Sequence, residues 1–97
     1  MKPPKSIPVG GYDYKVIQTN VATQQSCRGQ CSHVTLEITI EHSLLPNIKD
    51  EVFWHEVIHA IDKSYCDQEL SEVQVAGLAS GLHQVMNSLG VKFDWGK

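Results

Sequence analysis

Hydrophobic and polar positions along the chain fall into two kinds of periodicity. Over residues 12–19, Tyr-Asp-Tyr-Lys-Val-Ile-Gln-Thr, strand-forming side chains alternate loosely with polar ones, which predicts a first strand. The alternation is cleaner over residues 33–40, where Val34, Leu36, Ile38 and Ile40 interleave with His33, Thr35, Glu37 and Thr39. Successive side chains of a strand point to opposite faces, so this period of two predicts a strand with one buried face. Alternation alone suits an edge strand and a central one equally. Between the two strands, residues 20–30 are polar, contain Gly29 and read as a long loop. Residues 1–11 hold three prolines and two glycines and read as an extended lead-in.

The period then changes to that of a helix. Leu44-Leu45-Pro46-Asn47 ends the strand and opens a helix over residues 48–64, with Asn47 expected as N-cap and Asp50 in the first turn. Val52, Phe53, Trp54, Val57, Ile58, Ala60 and Ile61 cover most of its circumference, the pattern of a helix in the middle of a domain. A last helix over residues 71–89 starts with Ser71 and Gln74 at capping-box spacing and stops at Gly90. Val75, Leu78, Ala79, Leu82, Val85, Met86 and Leu89 line one side of it. Residues 91–95 either pack back or form a short extended tail. The expected fold class is therefore α+β. A small antiparallel sheet packs on a buried helix and a second, C-terminal helix, all in one domain over residues 1–97.

Composition narrows the function classes. Ninety-seven residues build one modest core and leave no room for a separate specificity domain. A formal charge of −3 gives no footprint for nucleic acid or an anionic membrane. No apolar run approaches the ~20 residues of a membrane span, and Met-Lys-Pro-Pro-Lys-Ser does not lead into a signal-peptide core. A cytoplasmic protein is the default expectation. Three cysteines, Cys27, Cys31 and Cys66, do not make a disulfide framework. Cys27 and Cys31 stand four apart and can close on a metal or on each other, but no second cysteine pair completes a structural zinc site, so free thiols are expected.

The chemistry concentrates in His55-Glu56-Val57-Ile58-His59. Histidines four apart on a helix project from one face, and two imidazole nitrogens can reach one ion at about 2.0–2.1 Å. Glu56 leans toward the same ion without being placed to ligate it. It is set to hold a metal-bound water and accept its proton, the mechanics of a His-Glu-x-x-His zinc peptidase motif. Burying two histidines and a glutamate with no common purpose costs several kcal/mol, about 2–7 per polar group, so a metal centre is the better account of them.

Such a site needs a third protein ligand. Six residues after His59, where metzincins carry a histidine or aspartate, stands Tyr65, which excludes that form. A glutamate from the following helix is the alternative. Glu72 is the expected ligand because it shares a side with Val75, Ala76 and Ala79; Glu69 precedes the helix start and is the second candidate. Asp62, Asp67 and His83 stand behind them. For stabilising an oxyanion, Tyr65, His33 and His42 are available, and none has a spacing that singles it out.

The stretch 55–61, followed by Leu70-Ser71-Glu72-Val73-Gln74-Val75 and residues 78–86, resembles small phage- and prophage-encoded zinc metallopeptidases related to minimal gluzincins and the ImmA/IrrE-type peptidase domain. The resemblance covers roughly residues 29–89. It implies a zincin-like core, with His55, His59 and Glu72 as zinc ligands and Glu56 as catalytic base. The thirteen positions from His59 to Glu72 are a short interval for gluzincins. It also implies a sheet edge on which a peptide or protein substrate adds as a strand, with residues 33–40 the natural candidate. The expected function is zinc-dependent hydrolysis of peptide bonds. The alternative is a zinc-stabilised, non-catalytic protein-binding module, which a fourth protein ligand such as Cys66 or Asp67 would signal.

Overall fold

The computed structural model describes residues 1–20 and 28–96. Residues 21–27 of the expected loop lie outside the described residues, and with them Cys27 and its relation to Cys31. The remaining chain is α+β, with four strands followed by two helices. The strands are β1 (Ser6–Val9), β2 (Tyr12–Thr19), β3 (Gly29–Ser32) and β4 (Glu37–Glu41); the helices are α1 (Pro46–Tyr65) and α2 (Glu72–Ser88).

The lead-in is not simply extended chain. Ser6–Val9 pairs antiparallel with β2, from Ser6 opposite Lys15 to Val9 opposite Tyr12. Gly10 and Gly11 form the two-residue turn with φ of 61° and 85°, a left-handed pair that glycine adopts without steric cost and that matches strand twist. Pro8 is tolerated because β1 is an edge strand of the order β1-β2-β4-β3.

The sheet is mixed, not wholly antiparallel. β4 pairs antiparallel with β3 but parallel with β2, Lys15 facing Glu37 and Thr19 facing Glu41. The chain leaves β2 and re-enters two positions across, and β4 folds back into the gap. The strand expected over 33–40 is therefore shorter. Residues 33–36 are the turn joining β3 to β4, closed by Thr35 N donating to Ser32 Oγ at 3.1 Å, with Leu36 at φ 58°. Val34 is 92% exposed there, whereas Ile38 and Ile40 are fully buried. β4 is central, and the edge on that side is β3, which arises from the end of the expected loop.

α1 starts two residues earlier than expected. Leu45 is the N-cap in extended backbone, no side chain caps the helix, and Pro46 occupies its first turn. Proline has no N–H to satisfy and presets the helical φ, so an Asn47 cap is unnecessary. Asp50 lies past the first turn, buried, and accepts a hydrogen bond from Trp95 Nε1 at 2.6 Å. Residues 91–95 thus pack back, and Phe93 and Trp95 join Phe53 in an aromatic cluster.

Val52, Phe53, Val57 and Ala60 of α1 pack on Tyr14, Ile38 and Ile40 of the sheet. Ile58 faces the other way, onto Val75 and Ala79 of α2. The layers are sheet, α1, α2; among the described elements α2 packs on α1 alone. The Ser71–Gln74 capping box forms in both directions. Of the apolar side of α2 only Val75 and Ala79 are buried; Leu78, Val85 and Leu89 are exposed. No described helix is long and apolar enough to cross a membrane.

Candidate metal centre

α1 carries His55 and His59 one turn apart, their ring centroids separated by 5.0 Å. Both rings are half-buried on the side of α1 that meets the start of α2. Glu72 is the first residue of α2, and the short connection decides where it stands. Cys66 N and Gln68 N donate to Asp62 O at 2.9 and 3.0 Å, and Leu70 N donates to Asp62 Oδ1 at 3.3 Å. Asp67 and Gln68 adopt left-handed φ of 52° and 57° to make this turn. The capping box then fixes the helix start one residue before Glu72.

The result brings Glu72 Oε2 to 2.8 Å from His55 Nε2 and Oε1 to 3.3 Å from His59 Nε2. One ligand atom from each of the three residues lies within 4.8 Å of the others. Two imidazole nitrogens and a carboxylate converging on one point could hold a divalent metal. Of the sequence candidates, the structure gathers His55, His59 and Glu72. Glu69, Asp62, Asp67, Cys66 and His83 stand outside the group. Asp62 is spent on the connecting turn, and His83 Nε2 is buried with no hydrogen-bond partner among the described residues.

Glu56 lies beside the group, buried, on the side of α1 toward β3. Burial, and secondly the negative charge of Glu72, push its carboxyl up to about 8. Burial lowers the pKa of His59; the positive charge of His55 acts in the same direction, while Glu72 and Asp62 act against it.

Two cavities meet at this point. One of about 340 Å³ is lined by Arg28, Gly29, Glu51 and Val52 together with His55, Glu56 and Glu72. The other, of about 550 Å³, runs along Gln30, Cys31, Ser32 and His33 and reaches His55, Glu56, His59 and Glu72. Both border β3, so the free sheet edge forms one wall of an open groove over the site. Of the three residues weighed for an oxyanion, only His33 lines this groove; Tyr65 is 71% exposed and away from it, and His42 borders neither cavity. Tyr14 Oη lies 3.3 Å from His33 Nδ1 and Cys31 Sγ 3.9 Å from it. Burial first, then the charges of Lys63 and His59, lowers the His33 pKa. Cys31 is a free thiol pushed up to about 12 by burial and by Glu56.

Sequence reasoning passed over Gly29 and Glu51. A Cβ on Gly29 would lie 2.6 Å from Val52 Cγ1, 2.9 Å from Thr39 O and 3.3 Å from Glu56 Oε2, so glycine is what lets β3 approach α1 beside Glu56. A glycine at a strand is itself a signal of close approach. Glu51 stands four residues before His55, on the same helix face, and accepts a hydrogen bond from Ser80 Oγ at 2.7 Å.

Comparison of the chain with protein-family models, curated proteins and solved structures gave no match, so the assignment rests on the residues themselves.

Proposed function

We propose that the protein is a zinc-dependent peptidase that hydrolyses a peptide bond in an extended segment lying along β3. The observation that carries this is the convergence of His55, His59 and Glu72 within 4.8 Å, with Glu56 buried beside them at an open groove. The two histidines and Glu72 would hold the ion. When bound, a zinc ion supplies a Lewis acid that polarises a carbonyl and acidifies water.

The chain's own residues do the rest. Glu56 takes the proton from the attacking water and returns it to the departing amine, and among the described residues no hydrogen bond competes for its carboxylate. The outer edge of β3, unpaired among the described strands, offers backbone donors and acceptors to an added strand, which sets the register of the scissile bond over the site. Among the described residues no fourth protein ligand joins the group, which favours an enzyme over a closed structural site.

Glu56→Gln is the direct test, on zinc-loaded protein with a mixed peptide pool as substrate. The expected result is loss of hydrolysis by about 10²-fold or more with zinc stoichiometry unchanged. Equal hydrolysis by the variant removes Glu56 from the chemistry.

A further inference from the structure

From residue 73 to residue 91 the chain has no Lys, Arg, Asp or Glu, nineteen consecutive positions in which His83 is the only titratable side chain. α2 occupies most of them and, among the described elements, packs on α1 alone. A solvated helix normally carries charge on its outer face. This one presents a seam. Leu78 and Val85 are each 53% exposed and Leu89 is 71% exposed, with half-buried Leu82 between them.

The spacing of that seam is specific. Leu78, Leu82, Val85 and Leu89 are separated by four, three and four residues, the d-a-d-a spacing of a heptad. The flanking positions are Ala79 and Met86 on one side and Gly81 and Ser88 on the other, all uncharged. α1 covers the neighbouring flank of α2 through Val75 and Ala79 and leaves the seam open.

We propose that the seam is an interface between two copies of this chain, α2 packing against its counterpart about a two-fold axis. Charge selects this occupant. Across a two-fold axis the helix meets the same set of charges it carries, so a face of one sign would repel itself, and residues 73–91 carry no such charge. A partner with a charged face would have to desolvate its charges against a surface that cannot pair them. The complement of an uncharged a/d seam is another one, where each knob meets the hole formed by its equivalents.

Size sets the strength. A 17-residue helix is ~25 Å long. Pairing one side of it twice over covers on the order of 1,000 Å², the floor for a specific interface, so the dimer is reversible. Glu72 lies roughly a third of the helix circumference from the seam, facing α1, so the groove stays open in the dimer.

Sedimentation velocity on the full chain, from about 1 µM to about 500 µM, spans the range in which an interface of this size dissociates. The weight-average mass is expected to rise from 10.8 kDa toward twice that value. Val85→Lys is expected to weaken association about tenfold or more. Val73→Lys, at a position 82% exposed on the far side of α2, is expected to leave it unchanged. A mass of 10.8 kDa at every concentration overturns the proposal. So does an association that survives Val85→Lys or is lost in Val73→Lys. Leu78→Lys repeats the first variant at a second exposed seam position, which guards against a local defect at residue 85.

Discussion

Near its start, α1 buries Lys49 and Asp50, and both are hydrogen-bonded to distant parts of the chain. Lys49 Nζ donates to Gln18 Oε1 at 2.7 Å, Gln18 Nε2 donates to Trp95 O at 3.0 Å, and Trp95 Nε1 donates to Asp50 Oδ1 at 2.6 Å. Less than two turns later the same helix buries Glu56, and among the described residues nothing donates to it. The first network ties β2, α1 and the tail together and is satisfied within the chain. The second leaves a buried carboxyl facing a groove. Buried polar groups that are fully paired specify a fold, whereas one left unpaired needs another reason to be kept. The proton transfer proposed for Glu56 would supply that reason here.

The two regions should therefore separate under mutation. The largest effect is expected from Glu72→Ala, which removes one of three converging ligands; zinc stoichiometry by elemental analysis should fall from one per chain toward none, while Glu69→Ala leaves it unchanged. Retained zinc in the first variant would break the comparison at its functional end. At the other end, Asp50→Ala strands the Trp95 indole N–H and its neighbour, Phe93 N. A loss of about 1–3 kcal/mol in urea unfolding is expected, with zinc affinity unaltered. If affinity falls with stability, the regions are one network.

A third effect, spread across pH, sharpens the contrast. In protein stripped of metal, the folded Glu56 carboxyl titrates near 8, above its ordinary value of 4.5. The unfolded chain then releases the proton first, so stability is full below about 4.5 and declines as pH rises toward 8. One proton limits the slope to ~1.4 kcal/mol per pH unit. Glu56→Gln should flatten it, as read from unfolding midpoints across pH. An identical slope in the variant would place the titration elsewhere.

Much of the molecule was legible where the pattern is local. The helices, the capping box at Ser71, β2 and the inward pair Ile38 and Ile40 follow from periodicity, and His55 with His59 follows from helical spacing. What escaped depends on distant pairing. β1 was hidden by Pro3, Pro4 and Pro8, which an edge strand tolerates. β3, Gly-Gln-Cys-Ser, has no apolar alternation, and the turn at 33–36 continued that of β4 by coincidence of residue type. The parallel pairing of β2 with β4 is a property of topology alone. The Asp50–Trp95 bond spans 45 positions. For α2, periodicity told which residues share a side and not what covers them.

The connection held by Asp62 has a further consequence, for the order of events. His59 and Glu72 are thirteen positions apart, whereas joining β2 to β4 brings together Lys15 and Glu37, twenty-two apart. Short loops close with less entropy lost, and local contacts form early. By this measure the α1–α2 hairpin closes more readily than β2 joins β4, so the candidate ligands can meet before the sheet that walls the groove is complete. An ion captured at that stage would act as a folding template, speeding refolding as well as slowing unfolding.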